Sequence, residues 1–327
     1  MMVQESTRVE KPPRSLARRV LVGTAKLLVL LVVFYYVGRA LIRQLGEIDF
    51  RSMHFDGWYI CLAVVSIIIG RIAVGLAYRF MLGRLGSSVS VASVMAMVWI
   101  PQLGKYVPGK LASLLGVVWM MGRQGVSAAR ATKIACVITA LSSILAVIMA
   151  VPLTLSGPIH NRVPLGWLWS ILLVAAGLVA LHPWVLNLLL HVPMKKMGFG
   201  ADDQPMRVSD YGWPTFFLLV NWLLLGLSAW LTTRAVTDAP VSWIPLMVSV
   251  SALAVTVGFF ALFAPSGLGV REGIMLIVLS PVMGNLAAVV TVATRVLFLV
   301  VDVVLAGAGV LILRFSACRA GAEGASD

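Results

Sequence analysis

Long apolar runs separated by short polar segments cover most of the chain. They fall at about 20–42, 57–80, 91–121, 134–155, 165–190, 214–234, 241–264, 270–282 and 286–313. A membrane-crossing helix needs roughly 20 apolar residues. Six runs meet that as uninterrupted helices: 20–42, 57–80, 134–155, 165–190, 214–234 and 286–313. Two regions are broken instead. Pro101, Lys105, Pro108, Gly109 and Lys110 interrupt 91–121, and Ala264–Gly269 (Ala-Pro-Ser-Gly-Leu-Gly) separates 241–264 from the short run 270–282. Irregular backbone at membrane depth survives only where protein buries it or where it lines a wet cavity. The pattern therefore predicts an all-α polytopic membrane protein. It has six full spans plus two broken or re-entrant helical regions, about eight helices by hydropathy.

Composition agrees. Of 327 residues, 60% are hydrophobic and 12% charged, against about a quarter charged in a soluble domain. A soluble enzyme of this composition would expose large apolar patches and aggregate, and a disordered chain needs far less apolar content. The basic stretch 1–19 before the first run resembles the start of a signal peptide. The apolar run is too long for one and lacks a small-residue cleavage site, so an uncleaved first span is expected.

Charge sets the orientation. With 26 Lys+Arg against 13 Asp+Glu the net charge is +13. If the N-terminus is inside and neither broken region crosses, sixteen basic residues fall on the cytoplasmic side and five outside (Arg39, Arg43, Arg51, Arg162, Arg234). That bias follows the positive-inside rule. It predicts a single transmembrane domain over 20–314, between a basic cytoplasmic tail 1–19 and a short cytoplasmic tail 315–327. Five basic residues remain at membrane depth: Arg71, Lys105, Lys110, Arg271 and Arg295. Only Glu272 and Asp302 accompany them there.

The two broken regions lead into similar sequence. Gly125-Val-Ser-Ala-Ala-Arg-Ala-Thr132 aligns with Gly284-Asn-Leu-Ala-Ala-Val-Val-Thr291, matching Gly, Ala, Ala and Thr at the same offsets. Pro108-Gly109-Lys110 and Pro265-Ser-Gly267 precede the two copies, and each copy enters a long apolar helix. In the charge-derived topology, spans 57–80 and 214–234 run in opposite directions. Two inverted repeats are therefore expected, about 57–155 and 214–313. Inverted repeats with broken helices meeting near the midplane are a transporter signature.

A buried excess of positive charge needs an anionic partner, because a charge facing lipid at the bilayer centre costs at least about 2.5–3.5 kcal/mol. Helix N-termini after the two breaks add unpaired N–H groups and positive potential, a setting that suits phosphate. The candidate substrate-binding set is Lys105, Tyr106, Pro108, Gly109, Lys110, Pro265, Gly267, Gly269 and Arg271. Arg71, Glu272, Arg295 and Asp302 form a candidate charge network. Adjacent Arg271 and Glu272 point about 100° apart on a helix. Cross-helix pairs such as Glu272 with Arg295, or Arg71 with Asp302, are expected instead. The bland alternatives are lysines snorkelling to headgroups and a purely structural ion pair.

Other features carry less. Cys61, Cys136 and Cys318 have no metal or redox spacing and read as packing residues. The scattered histidines His54, His160, His182 and His191 read as loop or interface residues. The ten tryptophans fall mostly near span ends and read as an aromatic belt. The pair Asp202-Asp203 reads as loop acids, not a metal motif. No Walker A run is present, so ATP is not the direct driver. No cofactor and no nucleic-acid partner is expected.

Gly104-Lys-Tyr-Val-Pro-Gly-Lys110 and Ala264-Pro-Ser-Gly-Leu-Gly-Val-Arg-Glu-Gly273, with Arg295 and Asp302 after them, resemble the signature regions of the lysylphosphatidylglycerol synthase transmembrane-region family, also called the flippase-like domain family. The second run looks like the family's Pro-Gly-Gly-Leu-Gly-x-Arg-Glu motif, with Ser266 in place of a Gly. The resemblance covers about residues 20–314. It implies the lipid-translocating half without the aminoacyltransferase domain, so transport and not catalysis. The expected partner is an anionic phospholipid or a polyprenyl-phosphate carrier, with a lipid-modifying enzyme or glycosyltransferase as a possible neighbour. The expected site is the bacterial inner (cytoplasmic) membrane. The alternatives are an intramembrane transferase acting on lipid-linked sugars, and a non-transporting membrane partner of a lipid-modifying enzyme.

Overall fold

In the computed structural model the described residues are 55–87, 89–106, 111–151, 209–261 and 264–323, with scattered positions within 35–46 and 153–185. The helices are α1 (Gly57–Arg84), α2 (Val91–Gln102), α3 (Leu111–Gly122), α4 (Ala128–Ala150), α5 (Ser209–Arg234), α6 (Ile244–Phe260), α7 (Val270–Met283) and α8 (Leu286–Glu323). Short 3-10 turns lie at Leu103–Tyr106, Val241–Trp243 and Pro265–Gly267. Among the described residues there is no strand. The expected spans 20–42 and 165–190 lie largely outside the described residues. So do the four histidines, Asp202-Asp203, and Pro108, Gly109 and Lys110.

Five helices are long and apolar enough to cross a membrane: Gly57–Arg84, Ala128–Ala150, Ser209–Arg234, Val241–Phe260 and Leu286–Phe315. Three contain expected spans, and Ala128–Ala150 overlaps a fourth, 134–155. The fifth falls in the second broken region, which the sequence reading left open as crossing or re-entrant. The 3-10 turn and α6 join into one 20-residue stretch that is long enough by itself. The other broken region does split into two twelve-residue helices around Leu103–Tyr106. The last helix also runs to Glu323, past the expected end near 314.

Local chemistry fixes the helix starts. Asp56 caps α1 by accepting from the Trp58 amide at 2.9 Å, and Ser90 and Ser127 do the same for α2 and α4. The α3–α4 and α7–α8 turns use Gly125 (φ 80°) and Gly284 (φ 58°), the glycines paired in the sequence repeat. Both sit at positive φ, where a Cβ would clash with the backbone. Thr132 and Thr291, the last matching residues, are both buried.

Apolar side chains both fill the interior and cover the outer surface. On α1, Ala63, Ala73 and Ala77 are buried while Val65, Ile69 and Ile72 are exposed. On α8, Phe298, Val301, Asp302 and Leu305 face inward; Val296, Leu299, Val300, Val303 and Val304 face out. Large side chains lie on both faces, and small buried residues such as Ala63, Ala73 and Ala77 permit the close backbone approach that drives helix association in lipid. Gly226 illustrates this: a Cβ there would lie 2.3 Å from the Val248 Cα.

The helices of the two halves share an order and a set of neighbours. Each half runs long helix, second helix, 3-10 turn, short helix, long helix. The leading helices α1 and α5 pack against each other, α4 packs on α6, and α8 packs on α2. α1 and α5 are antiparallel. The Asp56 amide donates to the Ala235 carbonyl at one end, the Ser66 hydroxyl to the Leu224 carbonyl in between, and Arg84 pairs with Asp210 at the other end. Trp99 and Trp222 correct the aromatic-belt reading. Both are buried, and their indole N–H groups donate to the carbonyls of Arg71 and Ser142 on other helices.

Candidate functional site

The two breaks meet. The turn Leu103–Tyr106 contacts the turn Pro265–Gly267, and it also touches α8. Close approach makes this possible. A Cβ on Gly267 would lie 2.7 Å from the Gly258 Cα, and one on Gly258 would lie 2.4 Å from the Arg271 Cγ. Gly267 also has φ 67°. The second break is thus seated directly on α6, with the Arg271 stem laid against Gly258.

Charged side chains converge where the breaks meet. Asp302, 2% exposed on α8, is the first hub. Lys105 Nζ pairs with its Oδ2, and the Tyr106 hydroxyl donates to the same oxygen at 2.9 Å. Arg71 Nε from α1 lies 3.3 Å from Oδ1, an ion pair whose alignment falls short of a hydrogen bond. Glu272, also buried, is the second hub. Its Oε1 lies 3.4 Å from Arg295 Nε, and its Oε2 accepts from the Gly269 amide at 2.7 Å. Arg295 Nη1 also donates to the Ser266 carbonyl at 3.4 Å. Both cross-helix pairs expected from the sequence are therefore present.

Arg271 is different. Its electrostatic neighbours are Arg295, Glu272, Arg71 and Tyr106. Among the described residues it makes no ion pair within 4.0 Å; its guanidinium lies 5.5 Å from the centroid of the Phe298 ring. Arg295 and Lys105 in turn sit 5.7 and 5.2 Å from the Tyr106 ring. Four cations surround two carboxylates, leaving an excess of two positive charges. Arg295 Nη2 and Arg71 Nε are buried without a hydrogen-bond acceptor in the described structure. Buried guanidinium N–H groups carry a desolvation cost unless an acceptor meets them.

Several sequence expectations change in detail. Lys105 turns inward to Asp302; it does not snorkel. The amide offered to a ligand at the start of α7 is already taken, because Glu272, at the third helical position, reaches back to Gly269 as an N-terminal cap. Pro265 lies in the second break itself. The sequence reading omitted Phe298, Gly258 and the backbone of Ser266. Phe298 had a signal: Arg295, Phe298 and Asp302 are three and four apart, one face of a helix. Gly258 had none, since its role is defined by a break nine residues away. Ser266 has φ 50°, the one non-glycine residue at positive φ among those described.

Among the described residues no group of three His, Cys, Asp or Glu could hold a metal ion. Cys61 is exposed and Cys136 partly so, and both are free thiols. Compared with known proteins, the chain matches no family model and no curated sequence.

Proposed function

We propose that this protein is a carrier, not an enzyme, that moves an anionic lipid across or out of the bacterial inner membrane. The cargo is a phospholipid or a polyprenyl-phosphate-linked lipid. The observation that carries the reading is Arg271. A guanidinium among three other cations, with no carboxylate within 4.0 Å among the described residues, suits a phosphate. Lys105, Tyr106 and Arg271 bind the headgroup, and the N-terminal tail and the last helix end lie in the cytoplasm. Pro108, Gly109 and Lys110, which follow the first break in the sequence, belong to the same proposed set. Glu272 and Arg295 hold the second break, while Asp302 occupies Arg71 and Lys105 until the headgroup competes for them. The resemblance to the lysylphosphatidylglycerol synthase transmembrane-region family points the same way.

The two halves act as inverted repeats in this reading. The antiparallel α1 and α5, the exchanged packing of α4 and α8, and the matching glycine turns support it. Rocking of one half against the other moves the breaks, and with them the cationic site, between the two leaflets. Acyl chains stay in lipid while the headgroup passes over side chains that already stabilise negative charge.

The test is reconstitution in vesicles with a fluorescent phosphatidylglycerol, reading the rate at which the headgroup becomes accessible to an external quencher. Wild-type protein accelerates that rate over empty vesicles, and Arg271→Gln lowers it about tenfold or more, as expected for losing one charge-assisted contact. Equal rates for Arg271→Gln and wild type, or no acceleration by wild type, sink the proposal.

A further inference from the structure

Away from the breaks, the last turns of α1 and the first turns of α5 enclose an open groove of about 410 Å³. Its walls are Leu76, Phe80, Gly83 and Phe217, with Arg79 and Arg84 among them. The apolar walls continue into outward-facing side chains: Ile69 and Ile72 on α1 and Phe216 on α5 are all exposed. The groove therefore opens onto the surface that faces lipid. It also lies near the end of both helices, where a span reaches the headgroup layer.

Its two arginines are incompletely partnered. Arg84 lies over the Phe80 ring at 5.2 Å and 3.5 Å from the Asp210 carboxylate, and its side chain is half exposed. Arg79 Nε is buried with no hydrogen-bond acceptor in the described structure. A Cβ on Gly83 would sit 3.1 Å from Arg79 Nη1, so the absence of a side chain at 83 leaves the guanidinium room in the groove. Among the described residues, Asp210 is the one carboxylate paired with either guanidinium, and it meets Arg84. An apolar slot that opens to lipid and has unmatched guanidinium donors at the headgroup level has the chemistry of a lipid phosphate site.

We propose that this groove binds one anionic phospholipid. Arg79 and Arg84 hold its phosphate, and the first part of an acyl chain lies along Leu76, Phe80 and Phe217. The site is separate from the breaks, and the assignment stands whether or not the protein transports lipid. The charge balance of the sequence places it in the cytoplasmic leaflet.

Native mass spectrometry of the full chain in detergent tests it, with phosphatidylglycerol, phosphatidylcholine and inorganic phosphate titrated separately. The wild type is expected to retain phosphatidylglycerol about tenfold more tightly than phosphatidylcholine. Arg79→Gln with Arg84→Gln removes one phosphatidylglycerol binding event, weakening it about tenfold or more. Gly83→Leu keeps both charges but fills the groove, and removes the same event. Adding Arg79→Gln with Arg84→Gln to Arg271→Gln removes one event more than Arg271→Gln alone. Inorganic phosphate does not displace the lipid. Unchanged lipid retention in the double variant or in Gly83→Leu overturns the assignment. So does an unchanged number of events when Arg79→Gln with Arg84→Gln is added to Arg271→Gln, which would place the event at the breaks, or full displacement by inorganic phosphate, which would make it a free-anion site.

Discussion

The first break is latched from the opposite half, whereas the second is held by its own. Lys105 and Tyr106 reach Asp302 on α8, nearly two hundred residues on in the chain. The second break is secured locally: Glu272 caps Gly269 three residues back, and Arg295 on the next helix ties Glu272 to the Ser266 carbonyl. Aligning the segments at Gly125 and Gly284 brings out the asymmetry. At the offsets from Gly284 that give Arg295 and Asp302, the first half has Cys136 and Ser143. The first half lacks the ionic partners that would hold its own break, so it borrows a carboxylate from the second. One break is therefore a joint between halves and the other is an internal fixture. A joint that depends on a single carboxylate can open when an anion competes for its cations.

The largest expected effect tests the joint. Asp302→Asn strips the negative charge from Arg71 and Lys105 and leaves both cations buried without a counter-charge. Removing one partner of a buried pair costs roughly 3–5 kcal/mol. A fall of that size in detergent-solubilised thermal stability is expected, and Lys105→Met in the same chain should recover part of it. A loss under about 1 kcal/mol would mean that the first break does not rest on Asp302.

Glu272→Gln comes next. The amide keeps an oxygen for the Gly269 N–H but loses the charge that faces Arg295. A cost of about 1–3 kcal/mol follows, since one charge-assisted contact is lost and the cap survives. Equal destabilisation by Glu272→Gln and Asp302→Asn would erase the contrast between a latched and a self-held break.

The smallest effect concerns Ser266. Its φ of 50° and ψ of 20° place an L-residue in the left-handed region, at a cost of about 1–2 kcal/mol. Ser266→Gly relieves that strain but adds freedom to the unfolded chain. The net expectation is a stabilisation of up to about 1 kcal/mol, read as a rise in unfolding midpoint. Destabilisation would show that the serine hydroxyl makes a contact worth more than the strain.

The sequence alone determined the class of this protein. Runs of apolar residues long enough to span a bilayer can be read without tertiary information, because lipid requires backbone hydrogen bonds to be satisfied within each segment. Prolines and glycines marked both breaks, proline because it lacks a helical N–H and glycine because it tolerates positive φ, although Pro214, Pro281, Gly70 and Gly226 lie within helices. The scarcity of acids beside Arg71, Lys105, Arg271 and Arg295 was also a matter of counting. Only the tertiary structure decided which charge meets which. Partner choice depends on helix rotation and depth, and the spacing of residues along one helix says nothing about a second helix. It turned Lys105 inward, gave Glu272 the role of a cap, buried Trp99 and Trp222 in the bundle, and left Arg271 with no carboxylate within 4.0 Å among the described residues. It also created the Arg79–Arg84 groove, whose walls come from two helices more than a hundred residues apart in the chain.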